Sequence, residues 1–307
     1  METEPGFGIH LYPYSTFPSL KAIIQFVKQA EELGYAFVNI PQHTVFPVDL
    51  EASMGQVWWD PFILANELGH ATETIRLHFD IVILPQNNPF TLAKQIATLD
   101  HTCDGRVRLG VAPGWLESQF DILHVDFHNR VALMEEYLGL MNALWADGPS
   151  TFEGDTFRFK DVSFYPKPLQ RPRPPIYIGG GVRASIRRAA RLGDGWIPMP
   201  SSWSQFLSDL ELLKSDLASA GRSLDGFAVF RTIPLFSLND EVEEHHSMAG
   251  GLSMGTLRGD YGEAREYVGR CTEIGVTDMW VQLPQGEFER ARQELGVFSR
   301  LVINGRN

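Results

Sequence analysis

The chain has 307 residues, 44% of them hydrophobic, with 38 acidic against 26 basic side chains and a net charge of −12. That length buries a large core and admits either two domains or one α/β barrel with insertions. The charge argues against general binding to nucleic acid or to an anionic membrane, and no apolar run nears the length of a membrane span. The N-terminus, METEPGFGIHLYPY, has no basic segment followed by an apolar run, so no secretory signal is expected. Cys103 and Cys271 lie far apart, each inside a helical pattern, which predicts two buried reduced thiols and no disulfide or zinc framework. A soluble cytoplasmic protein is expected.

In chain order, Phe7, Ile9 and Leu11 begin a strand. Leu20 to Leu33 reads as a helix, with Ile23, Ile24, Val27 and Ala30 on one face and Gly34 as its stop. Ala36 to Ile40 is a second strand. A long loop from Pro41 to Asp60 carries His43, Trp58 and Trp59. Asp60-Pro61 starts a helix to Ala71, with a capping carboxylate and proline at its first position. Arg76 to Leu84 is a third strand, and Asn88-Pro89 opens a helix from Phe90 to Cys103. Val107 to Val111 is a fourth strand, followed by the turn Ala112-Pro113-Gly114-Trp115, an irregular segment, and a long helix from Arg130 to Trp145.

Residues 147–174 break this rhythm. Thr151-Phe152 and Phe157-Arg158-Phe159 flank Gly154-Asp155, which predicts a hairpin, and PKPLQRPRPP at 166–175 is an extended connector. Ile176 to Ile178 is the fifth strand of the alternation. Gly179, Gly180 and Gly181 follow it, then a helix with Ile186, Ala189, Ala190 and Gly193 on one face. Gly193 stands where a left-handed C-cap is expected. A strand from Gly195, a helix from Ser204 to Ala218 and a strand from Phe227 to Phe236 follow. Residues 237–259 are polar and glycine-rich, and mobility is expected there. Tyr261 to Ile274 is a helix, Asp278 to Leu283 the last strand, and Phe288 to Val302 the last helix.

Eight strands alternating with helices predict a closed (β/α)₈ TIM barrel with insertions in its loops, with an open doubly wound sheet as the alternative. Barrel active sites lie at the C-terminal ends of the strands, which selects His43, Asp80 and the turns after the fourth and fifth strands. The glycine turn has two readings: a tight βα turn that needs positive φ, or a cradle of backbone N–H groups for a phosphate, with Arg183, Arg187 and Arg188 adding charge. No lysine at a strand end argues against a Schiff-base aldolase. No His-x-His on the first strand argues against a metal-dependent hydrolase. Glu243, Glu244, His245 and His246 read as a solvated face, and no metal is expected. A phosphate cradle, a histidine and an aromatic mouth suit a flavin-like cofactor.

Four blocks carry a resemblance. AEELGYAFVNIPQH at 30–43, IVILPQNNPFTLAKQIATLD at 81–100, RVRLGVAPGWLESQF at 106–120 and PPIYIGGG…RRAARLGDGWIP at 174–198 resemble the bacterial luciferase-like superfamily, most closely its probable coenzyme F420-dependent oxidoreductases. The resemblance implies a single TIM-barrel domain over residues 1–307 with a deazaflavin (coenzyme F420), or alternatively FMN, across the strand ends. It implies a backbone bulge near Phe79-Asp80, often with a non-proline cis peptide, behind the ring. It places the phosphate at Gly180, Gly181 and Val182, with Gly179, Ala112, Trp115 and Ser118 as further cofactor contacts. Gln42 stands where relatives carry an acid, Trp115 where sugar-phosphate dehydrogenases of the family carry one, and Ala112-Pro113 in place of a glycine-containing pair. These departures suggest an apolar small-molecule substrate. The implied activity is hydride transfer between the deazaflavin and a small organic substrate, with an FMN-dependent monooxygenase or a non-catalytic flavin-binding barrel as alternatives. His43 is the expected proton donor or acceptor, or else a residue that shapes the pocket. A homodimer is expected.

Overall fold

A computed structural model describes residues 5–236 and 257–305 of the chain. The strands among them are β1 (Gly6–His10), β2 (Phe37–Ile40), β3 (Arg76–Ile83), β4 (Val107–Ala112), β5 (Ser150–Glu153), β6 (Arg158–Val162), β7 (Ile176–Gly179), β8 (Gly195–Ile197), β9 (Ala228–Ile233) and β10 (Asp278–Val281). All but β5 and β6 hydrogen-bond in the order β1-β10-β9-β8-β7-β4-β3-β2 and close into a barrel; β5 and β6 form a separate antiparallel hairpin. The open-sheet alternative therefore falls. No described helix is long and apolar enough to cross a membrane.

The helices are α1 (Leu20–Glu32), α2 (Glu51–Met54), α3 (Pro61–Ala71), α4 (Pro89–Thr102), α5 (Glu117–Ile122), α6 (Arg130–Trp145), α7 (Arg183–Leu192), α8 (Trp203–Ser219), α9 (Tyr261–Glu273) and α10 (Phe288–Phe298). Short polar side chains set several of their starts. Ser19 accepts from the Ala22 N–H, Asp60 from Phe62 and Ile63, Asn88 from Phe90 and Thr91, and Asp260 from Gly262 and Glu263. Each satisfies donors that a helix leaves open in its first turn.

Some expectations are corrected. The loop from Pro41 to Asp60 contains α2, and the irregular segment after β4 contains α5. The last helix leaves α geometry at Phe298 and continues as one π turn, Ser299–Ile303. Gly193 is not a left-handed cap, since its φ is −97°. Space is the reason for glycine there: a Cβ would lie 2.9 Å from the Gly195 oxygen and from Ile178 Cγ1.

The chain divides into two compact units. The first comprises Met1–Asn39, Thr74–Arg76 and Ile176–Asn307. Alternation along β1 sends Phe7 against Phe298, with ring centroids 5.8 Å apart, and turns Gly8 and His10 to the opposite face. Gly8 makes room for Phe37: a Cβ there would come within 2.2 Å of that ring. Phe37 and Tyr177 in turn pack on Phe230, at 6.0 and 4.9 Å. The second unit comprises Ile40–Glu73 and Leu77–Pro175. Its interior holds Phe79 against Phe62 at 5.1 Å, and Trp145, whose indole donates to the Ala93 carbonyl at 3.1 Å. The hairpin is pinned by Glu136, which accepts the N–H groups of Thr156 and Phe157. Cys103 and Cys271 are both free and fully buried, as expected.

Candidate functional site

The second unit supplies a cluster of side chains after β2, β3 and β4. Gln42 is buried, and its Oε1 accepts the Ile83 N–H at 3.0 Å and the Asn87 amide at 3.4 Å, while its Nε2 donates to Asn87 Oδ1 at 3.3 Å. A carboxylate could accept but not return that last bond, which is a physical use for the amide at this position. The bond to Ile83 holds β3 just beyond its irregular stretch. Its register against β4 shifts between Phe79 and Val82, and the Asp80–Ile81 peptide is cis. The expected bulge is thus present. Phe79, where the shift begins, packs its ring on Phe62. Asp80 is half-buried, yet withdrawal of its carboxyl from water pushes the pKa up to about 7.

His43 follows Gln42 and meets three partners. Its Nδ1 lies 3.2 Å from Gln119 Oε1, and Trp58 stands edge-on at 4.7 Å, with Phe46 at 6.2 Å. Trp58 is itself held by a bond from its indole N–H to the Gly55 carbonyl. Burial lowers the His43 pKa, and the Gln119 bond opposes that shift. The ring is therefore predominantly neutral at pH 7.

Ala112, the last residue of β4, and Ser118 beyond it are half-buried, and Trp115 is 49% exposed between them. Gly114 shapes this turn: its φ is +86°, and a Cβ would come within 2.7 Å of Ile83 Cγ2. Arg130 holds its carbonyl at 3.2 Å.

The first unit supplies a cradle made of backbone. The Gly180 N–H donates to the Ile197 carbonyl at 3.0 Å, and the Trp196 indole donates to the Gly180 carbonyl at 2.8 Å. In a trans peptide the carbonyl and the following N–H point in opposite directions. Trp196 therefore turns the Gly181 N–H away from itself. Among the described residues, the N–H groups of Gly181 and Val182 have no acceptor, and Val182 gives α7 no side-chain cap. Of the glycine N–H groups expected to face a phosphate, that of Gly180 is taken by β8. Positive φ falls on Gly180, at +135°, and not on Gly181. The added charge is also less than expected: Arg187 lies 3.9 Å from Asp216 on α8, and Arg188 is buried, which leaves Arg183 exposed.

Other residues at the strand ends were not anticipated. His10 stacks on Trp280 at 4.8 Å, and the Tyr12 N–H donates to its Nδ1 at 3.3 Å. The signal available was the shared face of Gly8 and His10 in β1. Gln119 had no signal of its own beyond its place in the resembling block. Glu243, Glu244, His245 and His246 lie outside the described residues.

A family model described as luciferase-like monooxygenase matches residues 3–275. The chain belongs to this family. Luciferase-like membership makes the protein an oxidoreductase by class. The chain is 32% identical over 206 residues to the uncharacterized protein Rv0953c of Mycobacterium tuberculosis, covering 63% of this chain and 72% of that one. It is 29% identical over 164 residues to the FMNH2-dependent dimethylsulfone monooxygenase of Pseudomonas putida, covering 52% of this chain and 45% of that enzyme. In fold it resembles the coenzyme F420-dependent tetrahydromethanopterin reductase from Methanopyrus kandleri, with a TM-score of 0.77 over 99% of this chain and 100% of that one at 18% identity. That last likeness is one of fold alone. One sequence relative is thus an FMNH2-dependent enzyme, and one neighbour in fold is an F420-dependent one.

Proposed function

We propose that this chain is a single-domain oxidoreductase that transfers hydride between a deazaflavin, coenzyme F420, and a small, largely apolar organic substrate. The observation that carries a phosphate-tailed cofactor is the Gly180 peptide, held on both sides so that the Gly181 N–H faces away from Trp196. The residues fit such a group. A Cβ at Gly180 would lie 2.6 Å from Ser185 Oγ and one at Gly181 3.1 Å from Met199, so side chains are kept out of the turn. Gly179, Gly180, Gly181 and Val182 would hold the phosphate. The backbone of Phe79, with Asp80, Ala112, Trp115 and Ser118, would border the ring. When bound, the deazaflavin supplies a ring carbon that gives or takes hydride and reacts little with oxygen.

The chain's own part is to orient substrate, exclude water and move one proton. His43, neutral at pH 7 and walled by Trp58 and Phe46, is the group that holds or releases that proton. Asp80, its pKa pushed up to about 7 by burial, is mostly protonated well below that pH. A homodimer belongs to this reading. The FMN-dependent monooxygenase is the second reading, favoured by the likeness to the dimethylsulfone enzyme. Fluorescence titration of the purified protein with coenzyme F420 and with FMN tests the choice. Tighter binding of F420 is expected; tight FMN binding with no response to F420 reverses it.

A further inference from the structure

We propose that Gln119 is the positioning residue for His43: its side-chain oxygen keeps one proton on Nδ1 and leaves Nε2 as the atom that takes up and returns the substrate's proton. This rests on the reading of His43 given above. Gln119 lies on α5 and is fully buried. Its Oε1 stands 3.2 Å from His43 Nδ1. An amide oxygen has no hydrogen to give, so the Nδ1 it faces carries the proton. The lone pair of neutral His43 is then on Nε2.

The orientation of the amide decides what the histidine can do. With Oε1 toward the ring, the Nδ1–H bond persists both in neutral imidazole and in imidazolium. A proton leaving a substrate oxygen or nitrogen forms an N–H bond at Nε2, and that bond breaks when the proton passes on to water. Nothing else in the pair has to rearrange. With the amide reversed, its NH2 would face a bare Nδ1 and oppose protonation of the ring. In this orientation the Gln119 bond raises the His43 pKa against the burial that lowers it.

A second observation argues that this amide is there for the histidine. Gln119 Nε2 is buried and has no acceptor among the described residues. A buried donor left unmade is unfavourable, and an apolar side chain of similar size would avoid that penalty. A purely structural position would favour methionine or leucine.

The test reads His43 directly, in ¹⁵N-labelled protein without cofactor, by long-range proton–nitrogen correlation across a pH series. Above its titration midpoint, wild-type His43 should show a protonated Nδ1 and a bare Nε2. Gln119→Met should lower the midpoint and mix the two tautomers, and Gln119→Glu, whose carboxylate still accepts from Nδ1–H, should restore the tautomer and raise the midpoint. In turnover, Gln119→Met should lower kcat by about tenfold with KM within about twofold, and Gln119→Glu should recover most of the loss. A proton on Nε2 in the wild type, or an unchanged tautomer and midpoint in Gln119→Met, overturns the proposal. These signals need no cofactor, so a wrong choice between F420 and FMN leaves them unaltered and is seen separately in the binding titration.

Discussion

The turn after β7 and the cluster after β2 solve positioning in opposite ways. At Gly180 the groups proposed to hold the cofactor are backbone. Side chains are excluded there by a φ of +135° and by Ser185 Oγ, which would stand 2.6 Å from any Cβ. At His43 the proposed working group is a side chain, in contact with Gln119, Trp58 and Phe46. A backbone site tolerates loss of side chains around it but not their addition. A side-chain site fails when one atom's partner is removed. Binding should therefore respond to changes at the first region, and rate to changes at the second.

His43→Ala puts the largest strain on that distinction. Turnover should fall by a factor on the order of 10²–10⁴, the scale of a lost general acid or base, while cofactor affinity changes far less. Single-turnover kinetics beside a binding titration separate the two, and equal losses in both would make His43 a pocket residue. Gly180→Val is the mirror experiment. It should weaken cofactor binding by on the order of 10²-fold with the thermal transition still cooperative. Normal affinity would place the phosphate elsewhere.

Asp80 sharpens the comparison through pH. Its folded pKa is raised from 3.8 to about 7, so the folded state keeps a proton that the unfolded chain releases. Stability from this group is fully present below about pH 4 and is lost as pH rises towards 7. Asp80→Asn should flatten that slope, gaining about 1–4 kcal/mol relative to wild type between pH 4 and 7. Urea unfolding at the two pH values measures it; parallel curves for the two proteins would mean that Asp80 is ionised in the fold. The smallest effect is expected of Trp196→Phe. It removes the bond to the Gly180 carbonyl while keeping a ring against Phe206. Cofactor affinity should drop by roughly three- to tenfold, with turnover at saturation unchanged.

The two regions also differed in how far they could be read in advance. Three consecutive glycines between a strand and a helix announce a bare turn, because only local geometry is involved. The barrel was legible for the same reason: Asp60-Pro61 and Asn88-Pro89 mark helix starts within two residues of themselves. His43 was visible as a histidine just past a strand. Its setting was not, since Gln119 is 76 positions away along the chain and Asn87 is 45 positions from Gln42. Gly193 shows a different difficulty. A glycine required for close approach and one required for positive φ look alike in a sequence, and here the close contact with Gly195 and Ile178 decides. Likewise three glycines do not announce which N–H groups a neighbouring strand will claim, and β8 claims that of Gly180.

The two buried thiols have a use in measuring how the chain comes apart. Cys103 belongs to one compact unit and Cys271 to the other, and neither has surface exposed to a reagent. Burial also raises both thiol pKa values, that of Cys271 to about 12, so the native sulfurs are poor nucleophiles as well as inaccessible. Alkylation then waits for local opening, and the mass of each tryptic fragment records when its own half let go. An alkyl group at Cys103 also has no room to return, because its sulfur is packed against Gly69. Each labelling event is irreversible, which makes the pair a two-channel clock for the order in which the two units open.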